Sequence, residues 1–228
     1  MAGGRTARPQ VRTQAIATIE AYHDRVRADV FPLVDRPAGR VLDFGGGIGA
    51  TAAALRAWDG TTATVLFDRV AGDAAAGIDI AEQADLEDFD TIAALLEQLG
   101  PFDTILCLDI LEHLRDPWRT VQLLTGALEP GGAMIISLPN ANYIGLVGPL
   151  VMRGRFDYVD AGVLDRTHLR WFTRHSMIEL VSLPGMRVEA VEAHVPGRLK
   201  TAINLVTFGL FERFLASQYR LRVRKTAQ

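Results

Sequence analysis

The chain has a single cysteine, Cys107, among its 228 residues. One cysteine excludes an internal disulfide and any zinc cluster built from several thiolates. The sequence also lacks a run of about 18 consecutive apolar residues, which a membrane-spanning helix needs. Basic residues near the N-terminus are not followed by an apolar segment, so no secretory leader is expected. We therefore expect a cytoplasmic protein in a reducing compartment.

A strongly basic composition is lacking as well, because the net charge is -3. Proteins that bind nucleic acid need a face of lysine and arginine to displace counterions from phosphates. Nucleic acid is therefore not an expected partner. The hydrophobic content of 49% is enough for one sizeable core in a chain of this length.

From Arg40 onward, short apolar runs alternate with segments of helical period. Strands that are apolar throughout and separated by helices are typical of a parallel sheet covered on both faces. The pattern predicts a Rossmann-like, doubly wound α/β fold over residues 40–228. Apolar residues at helical spacing before Pro32 predict a tail and cap helix over residues 1–39. The five strand-like runs are RVLDF, TATVLFD, IDIAEQADL, FDTILCLDI and AMIISLP.

The regular alternation stops after Pro139. Residues 140–172 have no clear period and are longer than an ordinary loop, which predicts an insertion that covers an acceptor pocket. A helix, a strand, a second helix and a last strand follow. The second helix contains NLVTFGLFERFL, which is apolar on much of its circumference. We expect it to be a core helix rather than one that docks on an anionic membrane surface.

A glycine-rich turn, GGGIGA, follows the first predicted strand. Gly45 and Gly47, together with Ala50, also satisfy the G-x-G-x-x-G/A pattern of dinucleotide-binding enzymes. The glycines alone therefore do not separate a nicotinamide enzyme from a methyltransferase. Asp43 discriminates between them, because a carboxylate there would repel a pyrophosphate and attract the ammonium group of S-adenosylmethionine.

Acidic residues also follow the second and third predicted strands. Asp68 stands where an acid accepts hydrogen bonds from ribose hydroxyls in such folds. Asp85 is placed to accept from an adenine amino group, while Leu86 would pack on the ring. The alternative for both acids is a solvated turn residue.

Several motifs, in this order, resemble those of class I S-adenosylmethionine-dependent methyltransferases: VLDFGGGIG, LFD, ADL, FDTILCLDILEHLRDP and LEPGGAMIISLPN. The resemblance covers roughly residues 40–140. It implies a seven-stranded sheet, mostly parallel with an antiparallel last strand. The family usually has cysteine or a similar small residue where Gly46 stands. The implied cofactor is S-adenosylmethionine, bound by Asp43, Gly45, Gly47, Asp68, Asp85, Leu86 and Leu108.

The run LDILEHL resembles a segment of the ubiquinone-biosynthesis O-methyltransferases. In those enzymes an acid, a second acid three residues on and a histidine are associated with a divalent metal. Asp109, Glu112 and His113 are the matching residues here. The same segment occurs in methyltransferases that need no metal, so we expect none and take His113 as a candidate catalytic residue.

Residues 154–173 resemble a region of bacterial methyltransferases that are associated with saccharide or natural-product pathways. In such proteins this region covers the acceptor. His168 is then the best candidate for a base, because imidazole titrates near neutrality and can accept a hydroxyl proton. The alternative is a histidine that only anchors the insertion to a backbone carbonyl.

The sequence thus predicts an enzyme that methylates an oxygen of a small molecule or saccharide. One alternative is a nicotinamide-dependent oxidoreductase. Another is a methyltransferase-like protein that binds a partner without turnover. A monomer and a homo-oligomer are both compatible with the sequence.

Overall fold

The computed structural model describes residues 25–227. Within that range the strands form one sheet with the order β3-β2-β1-β4-β5-β7-β6, in which β7 is antiparallel to both neighbours. The other paired strands are parallel. This architecture confirms the predicted fold class. The strands are β1 (Arg40–Phe44), β2 (Ala63–Asp68), β3 (Ile80–Gln83), β4 (Phe102–Leu108), β5 (Leu128–Pro139), β6 (Met186–His194) and β7 (Gln218–Lys225).

The central strands are buried on both faces. In β1, Leu42 and Phe44 belong to the larger core cluster, whereas Val41 belongs to a second cluster on the opposite face. This division follows from the two-residue period of a strand, which points successive side chains to opposite faces. Continuous apolar strands therefore require a layer of helices on each side of the sheet.

The helices begin at recognisable capping residues. Asp88 accepts a hydrogen bond from the Thr91 amide, and Asp116 accepts one from the Arg119 amide, so each carboxylate satisfies an otherwise unpaired N–H of the first turn. The α-helices are α1 (Ala50–Asp59), α2 (Phe89–Leu99), α3 (Pro117–Gly126), α4 (Ile144–Arg153), α5 (Arg174–Val181), α6 (Arg198–Val206) and α7 (Glu212–Leu215). Short 3-10 helices span Ala28–Leu33, Ala71–Asp73 and Leu111–His113.

Most of the predicted N-terminal tail and cap helix lies outside the described residues. The described part contains the 3-10 helix Ala28–Leu33, which includes Pro32. Its buried side chains Val30 and Leu33 pack in the smaller core cluster. An ion pair between Asp35 and Arg224 of β7, at 2.8 Å, also attaches this segment to the sheet.

The insertion between β5 and α5 is more regular than its sequence indicates. Residues 144–153 form α4, whereas we expected no periodic element in this part of the insertion. Gly145, Gly148 and Pro149 interrupt the apolar pattern and hide its helical period. The remainder, residues 154–173, is mostly irregular, with an isolated bridge between Val159 and Asp165.

The prediction of one core helix near the C-terminus is wrong, because the segment is neither a single helix nor buried. The chain divides it into α6 and α7, and the turn between them places Phe208 and Gly209 in the left-handed region. No residue of α6 (Arg198–Val206) is buried. Among the helices of residues 25–227, none has the length and apolar character that crossing a bilayer requires.

Candidate active site

The turn between β1 and α1 is shaped by its glycines. Gly45 and Gly47 have φ angles of 76° and 63°, which residues with a side chain rarely adopt. The Gly45 amide donates to the carbonyl of Phe67 in β2 at 2.8 Å. A Cβ atom at Gly45 would also overlap the side chain of Ile110. Glycine at this position therefore lets the segment after β4 approach the turn.

Asp43 lies beneath this turn and is only 1% exposed. Burial raises the pKa of its carboxyl group to about 7, opposed by a hydrogen bond from the Ala52 backbone and assisted by the charge of Asp68. The atom Oδ2 has no hydrogen-bond partner. A Cβ atom at Gly46 would overlap the Asp43 carboxyl group, so glycine here leaves room for that side chain.

Asp68 lies at the end of β2 and contacts the same turn. Its Oδ2 accepts a hydrogen bond from the Gly47 amide at 2.8 Å, and its Oδ1 accepts one from the Val70 amide at 3.0 Å. These two bonds fix the orientation of a buried carboxylate. The structure thus brings Asp43, Gly45, Gly47 and Asp68 together at the carboxyl edge of the sheet, where ligands bind in doubly wound folds.

The next two predicted cofactor residues follow β3 and have different surroundings. Asp85 is exposed and forms an ion pair with Arg69 at 2.7 Å. Leu86 is buried, and its side chain belongs to the larger core cluster. Arg69 stands one residue after β2 and reaches the same edge, and no sequence motif points to it.

Leu108 ends β4 and is half-buried, and Asp109 follows it with a left-handed φ of 57°. The Asp109 carboxylate pairs with Arg27, accepts from the Ser137 hydroxyl at 2.8 Å and accepts from the Gln218 amide. Burial raises the pKa of Asp109, and the Arg27 charge opposes that effect. Asp109 therefore has its partners within the chain.

Glu112, His113 and His168 form a second, separate cluster. Their nitrogen and carboxylate oxygen atoms that could hold a metal ion lie within 4.8 Å of one another. The two imidazole rings meet edge to face, with centroids 4.7 Å apart. The insertion is held here by two hydrogen bonds from the Leu169 and Arg170 amides to the Glu112 carbonyl, at 2.8 and 3.0 Å.

Hydrogen bonds define which ring nitrogens of the two histidines carry protons. Nδ1 of His168 lies 3.2 Å from the Val163 carbonyl, and Nδ1 of His113 lies 3.3 Å from the Thr167 carbonyl. The Thr167 hydroxyl lies 3.1 Å from Nδ1 of His113 and donates to Asp165 at 2.6 Å, so it too can accept from this Nδ1. Because a carbonyl only accepts, these contacts favour the tautomer in which each Nδ1 donates and each neutral ring has its lone pair at Nε2. Burial lowers the pKa of both histidines, which favours the neutral form.

Glu112 is 1% exposed, and neither of its carboxylate oxygens has a hydrogen-bond partner. Burial and the nearby Asp109 charge raise its pKa well above the usual range. An unpartnered buried acid is energetically unfavourable, so a proton or a cation is expected beside it. One carboxylate and two imidazole nitrogens are ligands that suit Zn²⁺. Asp109 does not belong to this group.

A cavity of about 270 Å³ lies beside this cluster, between α4 and the rest of the insertion. Val163, whose carbonyl contacts His168, is part of its wall. The lining is mainly apolar, with an ion pair between Arg155 and Asp157 at 2.5 Å. The other lining residues are Tyr143, Gly145, Leu146, Pro149, Val159 and Leu164.

The chain is similar in sequence to known methyltransferases. Residues 14–191 match a family described as a methyltransferase domain. A ubiquinone biosynthesis O-methyltransferase from Xylella fastidiosa is 32% identical over 119 residues, which cover 48% of each protein. The chain thus spans about half the length of that relative. The protein of the same name from Xanthomonas oryzae pv. oryzae is 28% identical over 199 residues, covering 81% of this chain and 82% of that one.

The fold also has counterparts among solved structures. A SAM-dependent methyltransferase from Archaeoglobus fulgidus superposes with a TM-score of 0.59 and 15% sequence identity. The superposition covers 95% of this chain and 94% of that protein. At this identity the similarity shows a shared fold.

Proposed function

Because this chain belongs to the methyltransferase domain family, within the class I S-adenosylmethionine-dependent enzymes, we propose that it methylates an oxygen of a small-molecule or saccharide acceptor. The acceptor binds beneath the insertion at residues 140–172, and residues 40–228 form the catalytic domain. The family match does not favour a nicotinamide-dependent oxidoreductase or a partner-binding protein without turnover.

The residues around the glycine turn fit S-adenosylmethionine. Asp43 has an unpartnered oxygen in a buried position, so a cationic ammonium group nearby would stabilise its charged form. Asp68 is held in place by the Gly47 amide and is suited to accept from ribose hydroxyls. When bound, the cofactor supplies an electrophilic methyl group on a sulfonium. Asp85, Leu86 and Leu108 are the proposed contacts to the rest of the cofactor.

The observation that carries the assignment of O-methylation is the state of the two histidines. Each ring donates through Nδ1 to a backbone carbonyl and keeps its lone pair at Nε2. A hydroxyl acceptor loses a proton as its oxygen is methylated, and a neutral imidazole can accept that proton. We assign this role to His168, next to the cavity wall, with His113 beside it. Side-chain motion in the insertion would give the acceptor access to His168.

The state of Glu112 favours a second mechanism for the same methyl transfer, in which a divalent cation assists. With both of its oxygens unpartnered, it could hold a divalent cation together with Nε2 of His113 and His168. Such an ion would polarise the acceptor hydroxyl and lower its pKa. This ligand set differs from the run of Asp109, Glu112 and His113, because Asp109 is paired with Arg27.

The volume of the cavity limits the size of the acceptor. Its volume of about 270 Å³ is close to the lower end of the range of about 300 to 1,000 Å³ for ligand pockets. We infer that the methylated part of the acceptor is a single ring, either a phenol or a sugar. The apolar lining favours the phenol, whereas the Arg155–Asp157 pair would bind sugar hydroxyls.

The test is transfer of a labelled methyl group from S-adenosylmethionine to a panel of phenols, sugars and nucleotide-linked sugars. We expect transfer to an oxygen of one acceptor class, confirmed by the position of the label. Binding of NAD with none of S-adenosylhomocysteine would overturn the proposal. Binding of S-adenosylhomocysteine with no transfer, and co-purification with an enzyme, would favour the partner-binding alternative.

A further inference from the structure

The segment from α6 through the following turn exposes an unusual amount of apolar surface. Five large side chains in a stretch of twelve residues are between 71% and 98% exposed. Single exposed apolar residues are common, but a contiguous group usually marks an interaction site. Phe208 is the most exposed of them, in the left-handed conformation at the tip of the turn. The five are Leu199, Leu205, Val206, Phe208 and Leu210.

The end of α4 carries a second group of exposed apolar side chains. Val151 and Met152 are 74% and 80% exposed. The two helices are connected where each begins, because the Lys200 ammonium donates to the Tyr143 hydroxyl and lies 4.7 Å from the centre of that ring. The sheet explains why they are neighbours. Since β5 and β6 are both antiparallel to β7, they end at the same edge, and α4 and α6 follow those ends.

The two stretches of chain that carry this apolar surface contain basic residues but no acidic ones. No acidic residue occurs between positions 144 and 156 or between positions 195 and 211. Arg153 lies in the first stretch, and Arg198 and Lys200 lie in the second, whereas Arg155 is paired with Asp157. A second copy of the chain would bring like charges together across such an interface, which disfavours a homodimer there. An anionic lipid surface would complement both the charge and the apolar side chains.

We propose that α6, the turn 207–211 and the end of α4 form a peripheral docking surface for an anionic lipid bilayer. Apolar side chains of the turn and of α6 enter the boundary between headgroups and acyl chains, while Arg153, Arg198 and Lys200 contact lipid phosphates. Leu146 and Pro149 of α4 line the acceptor cavity, so docking brings that cavity to the bilayer surface. Lipid binding itself does not require methyl transfer.

The experiment is co-sedimentation of the full chain with vesicles, without cofactor. We expect binding to vesicles of phosphatidylglycerol and phosphatidylcholine, weaker binding to phosphatidylcholine alone, and a decrease with added salt. The double substitution Leu205→Ser and Phe208→Ser should weaken binding tenfold or more. Trp118→Ser is the matched control, because Trp118 is an exposed aromatic residue on α3 and should leave vesicle binding unchanged.

The two substituted side chains are exposed, so the unfolding midpoint of the double variant should equal that of the wild type. Equal vesicle binding by the wild type and the double variant would overturn the proposal. Concentration-dependent dimerisation that the double variant abolishes, without vesicle binding, would assign the surface to a second copy. If vesicles bind only after residues 1–24 are deleted, those residues occupy the surface in the full chain, and the proposal is overturned for the full chain. Each of these results leaves the methyl-transfer proposal standing, because it is measured separately.

Discussion

Nε2 of His168 lies 4.0 Å from Oε1 of Glu112, in a cluster where both groups are buried. This separation is too long for a hydrogen bond. The neutral histidine presents a lone pair, and the acid has two unpartnered oxygens. A cation between the two groups would satisfy both, whereas a proton on Glu112 would only neutralise the acid.

Replacement of His168 by alanine should slow methyl transfer while leaving cofactor binding near normal. Loss of a general base costs on the order of 100- to 10,000-fold in rate. The measurements are single-turnover rates and the affinity for S-adenosylhomocysteine. His175→Ala is the matched control, because His175 is an exposed histidine on α5. An unchanged rate in the His168 variant would remove it from the catalytic role.

The pH dependence of the rate should reflect the environment of the histidines. Burial lowers the pKa of His113 and His168 from the ordinary value of 6.5, so protonation begins only at more acidic pH. A base must be neutral, and the acidic limb of the kcat profile should therefore lie below pH 6.5. A limb at or above that value would contradict the role proposed for this pair. His168→Ala should abolish the limb in whatever activity remains.

Removal of metal distinguishes catalysis by a histidine base from catalysis assisted by a bound cation. If Glu112, His113 and His168 hold a cation, dialysis against a chelator should lower activity, and Zn²⁺ should restore it. Zn²⁺ should also raise the unfolding midpoint of the chelated wild type, since a ligand that binds only the native state stabilises it. Glu112→Gln should lose this response, whereas the exposed control Glu179→Gln should retain it. Full activity after chelation, with no metal found by elemental analysis, would leave acid–base catalysis alone.

The sequence predicts the parts of the fold that depend on local patterns. The apolar run around Leu42 and Phe44 is sufficient to predict a strand covered on both faces. The positions of Asp43 and Asp68 after adjacent strands place both acids at one edge, because parallel strands end together. The turn that contains Gly45 and Gly47 follows from the same reasoning.

Features that depend on distant residues could not be predicted in this way. Arg27 reaches Asp109 across 82 positions of sequence, and no local pattern connects them. The exposure of α6 also depends on tertiary structure, because an apolar helix is buried only if another element packs on it. The glycines and Pro149 within α4 interrupt its apolar pattern, so the sequence alone does not predict this helix.

Asp43 should reduce the stability of the protein at neutral and alkaline pH. Its carboxyl pKa is about 7 in the folded chain and near 3.8 when exposed, so between these values the folded state binds more protons. Stability from this group is therefore lost as pH rises from 3.8 to about 7. Asp43→Asn should raise the free energy of unfolding at pH 8 relative to wild type, measured in urea. The same variant should bind S-adenosylmethionine more weakly, and tighter binding would contradict the role given to Asp43.

Asp68→Ala should weaken cofactor binding more than it destabilises the fold. A hydrogen bond to a charged group is worth about 1.5 to 3 kcal/mol, which corresponds to roughly 10- to 150-fold in affinity. The substitution also leaves the Gly47 amide without its acceptor at 2.8 Å, so the turn would lose its constraint. Isothermal titration with S-adenosylhomocysteine gives the affinity, and thermal unfolding reports the fold. Asp73→Ala, at an exposed acid just after the same strand, is the control and should bind normally. Wild-type affinity in Asp68→Ala would mean that the ribose is held elsewhere.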